Sequence, residues 1–326
     1  MAFADRRRRL IALGLAALAA PRFAVAQKVW RIGVLETIAR VPNAANFEAF
    51  IKGMRDVGYV ETKNLLVDYR SGDGQAERFA ALADELVRAK VDLILTRGTP
   101  AALTAAKVTR TIPIVMAAIG EPLGRGIVAS LAHPGGNVTG LSSFVTELTG
   151  KRLEVLQALR KMSRVATLLN MSNPIFAAQW KETQLAGEKL GIQAQLLDVR
   201  KAEDLEAAFA AAVQQRADGL IVGIDAVTQA SRTLIAQLAA RHRLPAVYAA
   251  KEFADAGGLL SYGVSYPDLY HRAAGFVHKI FGGARPGDLP VEQPTKYELV
   301  INGKAAAALG LAIPASLLAR ADEIIQ

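Results

Sequence analysis

Phe79-Ala80-Ala81-Leu82-Ala83-Asp84-Glu85-Leu86-Val87-Arg88-Ala89-Lys90-Val91-Asp92-Leu93-Ile94-Leu95 decides the fold, because Leu205 to Val222 repeats its plan. In the first copy Phe79, Leu82, Ala83, Leu86 and Val87 form a helical stripe leading to Asp92 and an apolar strand. In the second, Leu205, Ala208, Phe209, Ala212 and Val213 lead to Asp218 and Leu220-Ile221-Val222, with the same offset from stripe to aspartate. Spacing of i, i+3, i+4, i+7 marks one apolar helix face, and a short apolar run after it marks a buried strand. Each strand then meets a polar turn, a helical stretch and a second strand opened by a proline step, Ile112-Pro113-Ile114-Val115 and Leu244-Pro245-Ala246-Val247. The repetition predicts two equivalent α/β lobes, each a doubly wound parallel sheet, joined by a hinge, with the ligand cleft between them.

Working outward, short apolar runs alternate with amphipathic stretches from Val29 onward, as expected of parallel sheets covered on both faces. The first lobe reads strand 31–35, helix 44–57, strand 65–70, helix 76–89, strand 91–96, helix 100–108 and strand 112–117. Gly58 suits the C-cap of the first helix. A further helix is expected to end at Leu131-Ala132-His133-Pro134-Gly135-Gly136-Asn137, before a strand over 138–144 and a helix over 147–160. The second lobe reads strand 165–169, helix 177–190, strand 192–198, helix 203–215, strand 219–223, helix 227–241, strand 246–249 and strand 259–262. A helix over 269–281 precedes a Gly-Pro-rich connector, a late strand over 295–301 and a tail from Lys304 to Gln326 that reads as helical. The expected domains are residues 27–143 plus about 267–288, and 144–266 plus about 289–326.

Residues 1–26 read as an export signal: Asp5-Arg6-Arg7-Arg8-Arg9, an apolar run from Leu10 to Ala20, then Ala24-Val25-Ala26 before Gln27. The run is too short to span a bilayer. The leader carries five Arg and one Asp, so its removal takes the net charge from +9 to +5. The remaining Lys and Arg are scattered along helix faces instead of clustered with aromatics, which argues against nucleic acid as a partner. With no cysteine, disulfides, thiolate catalysis, cysteine-held metals and a lipidated N-terminal cysteine are all excluded. An exported chain with no lipid anchor and no stable membrane insertion is expected in the periplasm, by a Sec or twin-arginine route.

The stretch from Leu289 to Asn302, Leu-Pro-Val-Glu-Gln-Pro-Thr-Lys-Tyr-Glu-Leu-Val-Ile-Asn, followed by Ala308-Leu309-Gly310-Leu311 and Ile313-Pro314, resembles the end of one large bacterial family. So do Gly98-Thr99-Pro100-Ala101-Ala102, His133 to Leu141, Leu148-Thr149-Gly150-Lys151-Arg152 and Ser261-Tyr262-Gly263. The chain resembles the ABC-transporter substrate-binding proteins of the TrpX-like group, with the type I periplasmic binding fold. The resemblance implies lobes that close on a small amino-acid-like or carboxylated solute and deliver it to an ABC permease and, through it, a cytoplasmic ATPase. It implies no cofactor, and a monomer is expected. A ligand-presenting sensory module of the same fold, acting on a membrane receptor, is the alternative. The family more usually has Asp-Pro where this chain has Glu121-Pro122, and Arg-Glu-Phe where it has Lys251-Glu252-Phe253.

In open parallel sheets ligands gather beyond the carboxyl ends of the strands. The candidate contacts are therefore Glu36 and Thr37 after the first strand, Gly98 and Thr99 after the third, and Glu121 after the fourth. Asn170, Asn173, Asp225, Lys251, Glu252 and Tyr262 occupy the corresponding loops of the second lobe. Thr99 reads as a capping hydroxyl at a helix start whose free N–H groups suit a carboxylate. Asp225 is either an N-cap or a partner for a ligand ammonium. Phe47 and Phe50, three apart on a helix, read as core packing. Gly124-Arg125-Gly126-Ile127-Val128-Ala129 matches a loose dinucleotide fingerprint, but it does not follow the first strand, where that fingerprint belongs. The four histidines show no metal-binding spacing, and no nucleophile elbow is present. Neither a metal site nor catalytic residues are expected.

Overall fold

The computed structural model describes residues 28–124, 126–143, 146 and 148–326, so the leader lies outside the described residues. Five parallel strands make the first sheet in the order β2-β1-β3-β4-β5: β1 (Trp30–Glu36), β2 (Leu65–Ser71), β3 (Leu93–Arg97), β4 (Ile114–Ile119) and β5 (Val138–Ser142). In the second sheet β6 (Arg164–Leu169), β7 (Gln193–Asp198), β8 (Gly219–Val222), β9 (Ala246–Tyr248) and β10 (Leu260–Val264) repeat that order. β11 (Tyr297–Asn302), antiparallel to β10, and β12 (Glu323–Ile325), parallel to β11, extend it. Helices α1 (Ala44–Asp56), α2 (Phe79–Arg88) and α3 (Thr99–Val108) belong to the first lobe. The second carries α4 (Leu148–Leu159), α5 (Phe176–Leu190), α6 (Leu205–Gln214), α7 (Ala226–Ala230), α8 (Arg232–Arg241) and α9 (Lys251–Asp255).

The repeated sequence folds as a repeated device. Phe79, Leu82, Ala83 and Leu86 are buried along α2, as are Leu205, Phe209 and Ala212 along α6, whereas Val213, expected on that stripe, is exposed. Truncating a fully buried ring such as Phe209 to alanine costs about 3–5 kcal/mol. Each repeated aspartate pins the start of its lobe's first strand. Asp92 accepts from Arg31 N at 2.7 Å and its own N–H donates to Arg31 O at 2.7 Å; Asp218 accepts from Arg164 N at 2.9 Å and donates to Arg164 O at 2.8 Å. The proline steps also match, since Ile94 N donates to Pro113 O and Leu220 N to Pro245 O. Asp322 repeats the exchange with Leu299 at the far edge of the second sheet.

The helix α10 (Tyr266–Phe281) returns to the first lobe and packs on α1, β4 and β5. Its buried Tyr270, Ala273, Ala274, Phe276 and Val277 complete that lobe's core. The chain then runs beside β5, where Glu292 N donates to Gly140 O at 2.9 Å and Ser142 N to Glu292 O at 2.8 Å, before entering β11. The strings from His133 to Leu141 serve this crossing. Asn137 Nδ2 donates to Thr109 O and Ile112 O, Thr139 Oγ1 donates to Leu289 O, and Gly140 (φ 130°) lets β5 approach Met116, whose backbone a Cβ would strike. Phe47 and Phe50 are core residues, as expected.

Three readings are corrected. The helix expected to end at 131–137 is not present among the described residues; turns and bends occupy 122–124 and 126–129, where Gly126 (φ 65°) and the Pro134-Gly135-Gly136 break deny helical geometry. The helix expected over 227–241 divides at Ser231 into α7 and α8, because the Asp225–Thr228 cap bonds fix the first turn separately. The tail is helical only in α11 (Gly303–Leu309) and α12 (Ala315–Leu318) and ends as β12. Gly310 (φ 69°) stops the first of these, and Asp322 starts the strand.

Candidate functional site

A cavity of about 290 Å³ lies between the lobes, at the carboxyl ends of both sheets. Of the eleven predicted residues, Thr37, Gly98, Thr99, Asn170, Asn173 and Asp225 line it. Glu36, Glu121, Lys251, Glu252 and Tyr262 do not. From the first lobe, β3 delivers Arg97 and turns at Gly98 (φ 84°), where a side chain would crowd Thr37, so that α3 starts facing the cavity. Gly98 rather than Thr99 is therefore the N-cap; Thr99 is the first helical residue. Pro100 follows it, and the free N–H groups and positive end of α3 border the cavity.

From the second lobe, Asp225 is the N-cap of α7 and lines the cavity. Its Oδ1 accepts from Thr228 N at 3.0 Å and its Oδ2 from Asn170 Nδ2 at 2.7 Å. Burial pushes its carboxyl above the ordinary carboxylate range despite these bonds. Asn173 Oδ1 accepts from Ile175 N at 3.3 Å and shapes the start of α5.

Along the cavity wall runs a network that the sequence reading missed, centred on Arg97. Its guanidinium sits 4.0 Å from the Tyr266 ring centre, donates to Asn43 Oδ1 at 3.3 Å and pairs with Glu252 Oε1 at 3.2 Å. The Gln229 amide is oriented with its oxygen 2.7 Å from both Arg97 Nη atoms and its nitrogen donating to Thr37 Oγ1 at 2.6 Å. Burial alone would loosen the guanidinium's proton, but Tyr270, Glu252, Tyr266 and Glu36 more than offset it, so Arg97 stays cationic. Glu36, fully buried, accepts from the Tyr270 hydroxyl and from Thr37 N. Its carboxyl is pushed up by burial, only partly countered by Arg97. Glu252 is held below the usual range, because Arg97 and Asn46 outweigh its burial.

Arg97, Asn46 and Thr37 belong to the first lobe, and Glu252 and Gln229 to the second, so these bonds cross the cleft. Thr37 thus lines the cavity, whereas Glu36 and Glu252 reach its wall only through their bonds to Thr37 and Arg97. Lys251 instead pairs with Asp255 and Glu323, holding β12. The Tyr262 side chain packs into the second lobe's core while its carbonyl accepts from Arg152 Nε at 2.8 Å. Glu121 stays outside the cavity; Gly120 before it lines the wall. Among the described residues no cluster of three or more metal-ligating side chains exists, and no helix is long and apolar enough to cross a membrane.

Two α/β lobes sharing one five-strand order, with a cavity at their facing strand ends, define a binding protein of the type I periplasmic fold. The chain belongs to the ABC transporter substrate binding protein family, whose model matches residues 31–325. It is similar to a tyrosine-binding protein of Clostridioides difficile (strain R20291), 26% identical over 286 residues that cover 87% of this chain and 82% of that protein. Among solved structures it is similar to an ABC domain in complex with L-Trp from Streptococcus pneumonia, with a TM-score of 0.83, 26% identity, and coverage of 91% of this chain and 100% of that one. A conserved domain protein of Vibrio cholerae gives a TM-score of 0.84 at 28% identity with the same coverage.

Proposed function

We propose that this protein captures a small amino acid or related carboxylated zwitterion between its lobes and delivers it, as the solute receptor of an ABC importer, to a membrane permease driven by a cytoplasmic ATPase. The observation that carries the reading is the opposition of charge across an amino-acid-sized cavity. The start of α3 and the Arg97 cation stand on one wall and Asp225 on the other. A carboxylate fits the free N–H groups of the first turn of α3. An ammonium group fits Asp225, whose buried carboxylate gains most from a cation. Phe79, Pro100, Leu103 and Val227 supply apolar lining for a side chain. Such a mixture, mostly apolar with a few convergent polar groups, is what small-ligand sites use, and the volume lies near the lower end of their range of about 300–1,000 Å³.

Under this reading the cross-cleft bonds of Arg97, Gln229 and Glu252 belong to the closed state, and ligand contacts on both walls favour it. The relatives named for tyrosine and crystallised with L-Trp support an amino-acid ligand. The protein would work as a monomer in the periplasm after removal of residues 1–26, without turnover of what it binds. Isothermal titration of the purified chain with the twenty amino acids tests the ligand class. Saturable heat from one or a few of them is expected, and heat from none refutes the zwitterion reading. Native mass spectrometry of protein drawn from a periplasmic extract tests location and cargo together.

A further inference from the structure

Gly120 and Ile175 meet across the cleft in a way that backbone conformation does not explain. Gly120 follows β4 in the first lobe, and Ile175 precedes α5 in the second; both line the cavity. Gly120 does not have the positive φ that would demand glycine. Yet a Cβ there would come within 1.7 Å of Ile175 Cδ1 and 3.1 Å of its Cγ1, while the next atom, Thr99 Oγ1, would stand at an ordinary 3.6 Å. Ile175 itself is almost fully buried, although it sits in a loop at the mouth of a cleft. The space a side chain would take at Gly120 is filled from the opposite lobe, so a Cβ there would force Ile175 to turn aside only when the lobes are together.

We propose that Ile175 seating in the slot at Gly120 is the steric catch that sets how far the cleft closes, and through it the affinity and residence time of the solute. The slot abuts Thr99 at the start of α3, so the seated side chain also covers the wall where a carboxylate is proposed to bind. A ligand that holds the walls apart unseats Ile175 and loses the apolar contact; one that fits lets it seat. The catch rests on the binding reading only for the identity of the ligand, not for the contact itself.

The steric arithmetic gives a test by complementation. Gly120→Ala places a methyl group where Ile175 Cδ1 lies, and overpacking of that kind shifts a closing equilibrium by about tenfold or more. Ile175→Ala removes both clashing atoms, so Gly120→Ala/Ile175→Ala is expected to close again. The chain has no cysteine. Exposed Lys52 on α1 and Lys181 on α5 can therefore be replaced by Cys and spin-labelled in each variant, and the inter-lobe distance distribution measured with no addition, with L-tryptophan and with L-tyrosine.

The expected pattern is a closed component in the parent, its loss in Gly120→Ala by about tenfold, and its recovery in the double variant to within about threefold of Ile175→Ala alone. Because the double variant keeps alanine at position 120, recovery cannot come from repair of a folding defect at that position. A Gly120→Ala variant that closes like the parent, a double variant that stays open, or a parent with no closed component under any condition overturns the proposal. Failure of the ligand reading looks different: the closed fraction responds to the substitutions but not to either amino acid.

Discussion

Glu252→Gln isolates the charge of the bond that spans the lobes. Glu252 accepts from Asn46 Nδ2 at 2.9 Å and from Arg97 Nη2 at 3.2 Å, both in the other lobe, and glutamine keeps the shape and one acceptor oxygen. A hydrogen bond to a charged group contributes about 1.5–3 kcal/mol and a neutral one about 0.5–1.5 kcal/mol. Replacing one by the other therefore weakens closure by about 1–1.5 kcal/mol, close to tenfold. Arg97 retains Glu36, Asn43 and Gln229, which keeps the loss below the 3–5 kcal/mol typical when a buried ion loses every partner. Affinity for the best amino acid from the titration screen should drop about tenfold, mostly through a faster off-rate, measured by calorimetry and stopped-flow fluorescence. The pair is buried, so the loss should change little between 50 and 500 mM salt. Binding within twofold of the parent would show that the ion pair does not contribute to the closed state, and the reasoning would fail.

Other expectations follow from the same geometry. Asp225→Asn keeps an acceptor for Thr228 N but turns an amide NH2 toward Asn170 Nδ2 and removes the charge proposed to meet an ammonium, so affinity should fall by about ten- to a hundredfold; equal affinity in calorimetry would place the ammonium elsewhere. Because burial raises the folded-state value of Glu36, its contribution to stability is fully present below the ordinary value of 4.5 and is lost as pH rises through the raised folded value. Glu36→Gln should therefore flatten the decline of the thermal midpoint as pH rises above 4.5, and an unchanged slope by differential scanning fluorimetry would refute this. Asp218 is the opposite case. Burial would raise its carboxyl, but the backbone N–H groups of Ser163 and Arg164 and the charges of Arg160 and Arg164 hold it low. Its contribution is present above the ordinary 3.8 and lost as pH falls through the lowered value. Asp218→Ala should destabilise by about 1–2 kcal/mol at pH 7 in urea titration, with the deficit shrinking in acid.

What could be read in the sequence was what repeats locally. The stripes of α2 and α6, the aspartates 92 and 218 and the proline steps at 113 and 245 carry period and order along the chain, and these placed the strands and hence the loops that line the cavity. Thr37, Gly98, Thr99, Asn170, Asn173 and Asp225 were found because each follows a strand. Arg97 was legible in the same string as Gly98 and Thr99 but passed over, since a strand's last residue can face either side and its partners Glu36, Asn43 and Glu252 lie far away in sequence. Lys251 follows β9 but α9 turns it toward β12, and Tyr262 lies in the middle of β10, whose alternation turns it into the core. Ile175 carried no signal at all. An isoleucine before a helix looks like any other until the opposite lobe is in place.

The placement of α10 also governs the order in which the molecule can be finished as it is made. The first lobe's sheet is complete by Ser142, but the face of α1 that α10 covers stays bare until residue 281 of 326 has emerged. Gly53 shows how tight that seam is, since a Cβ there would meet the His271 carbonyl at 2.6 Å. A growing chain thus holds its N-terminal half unsealed for most of its synthesis, and the seam closes only once α10 is available to pack on α1.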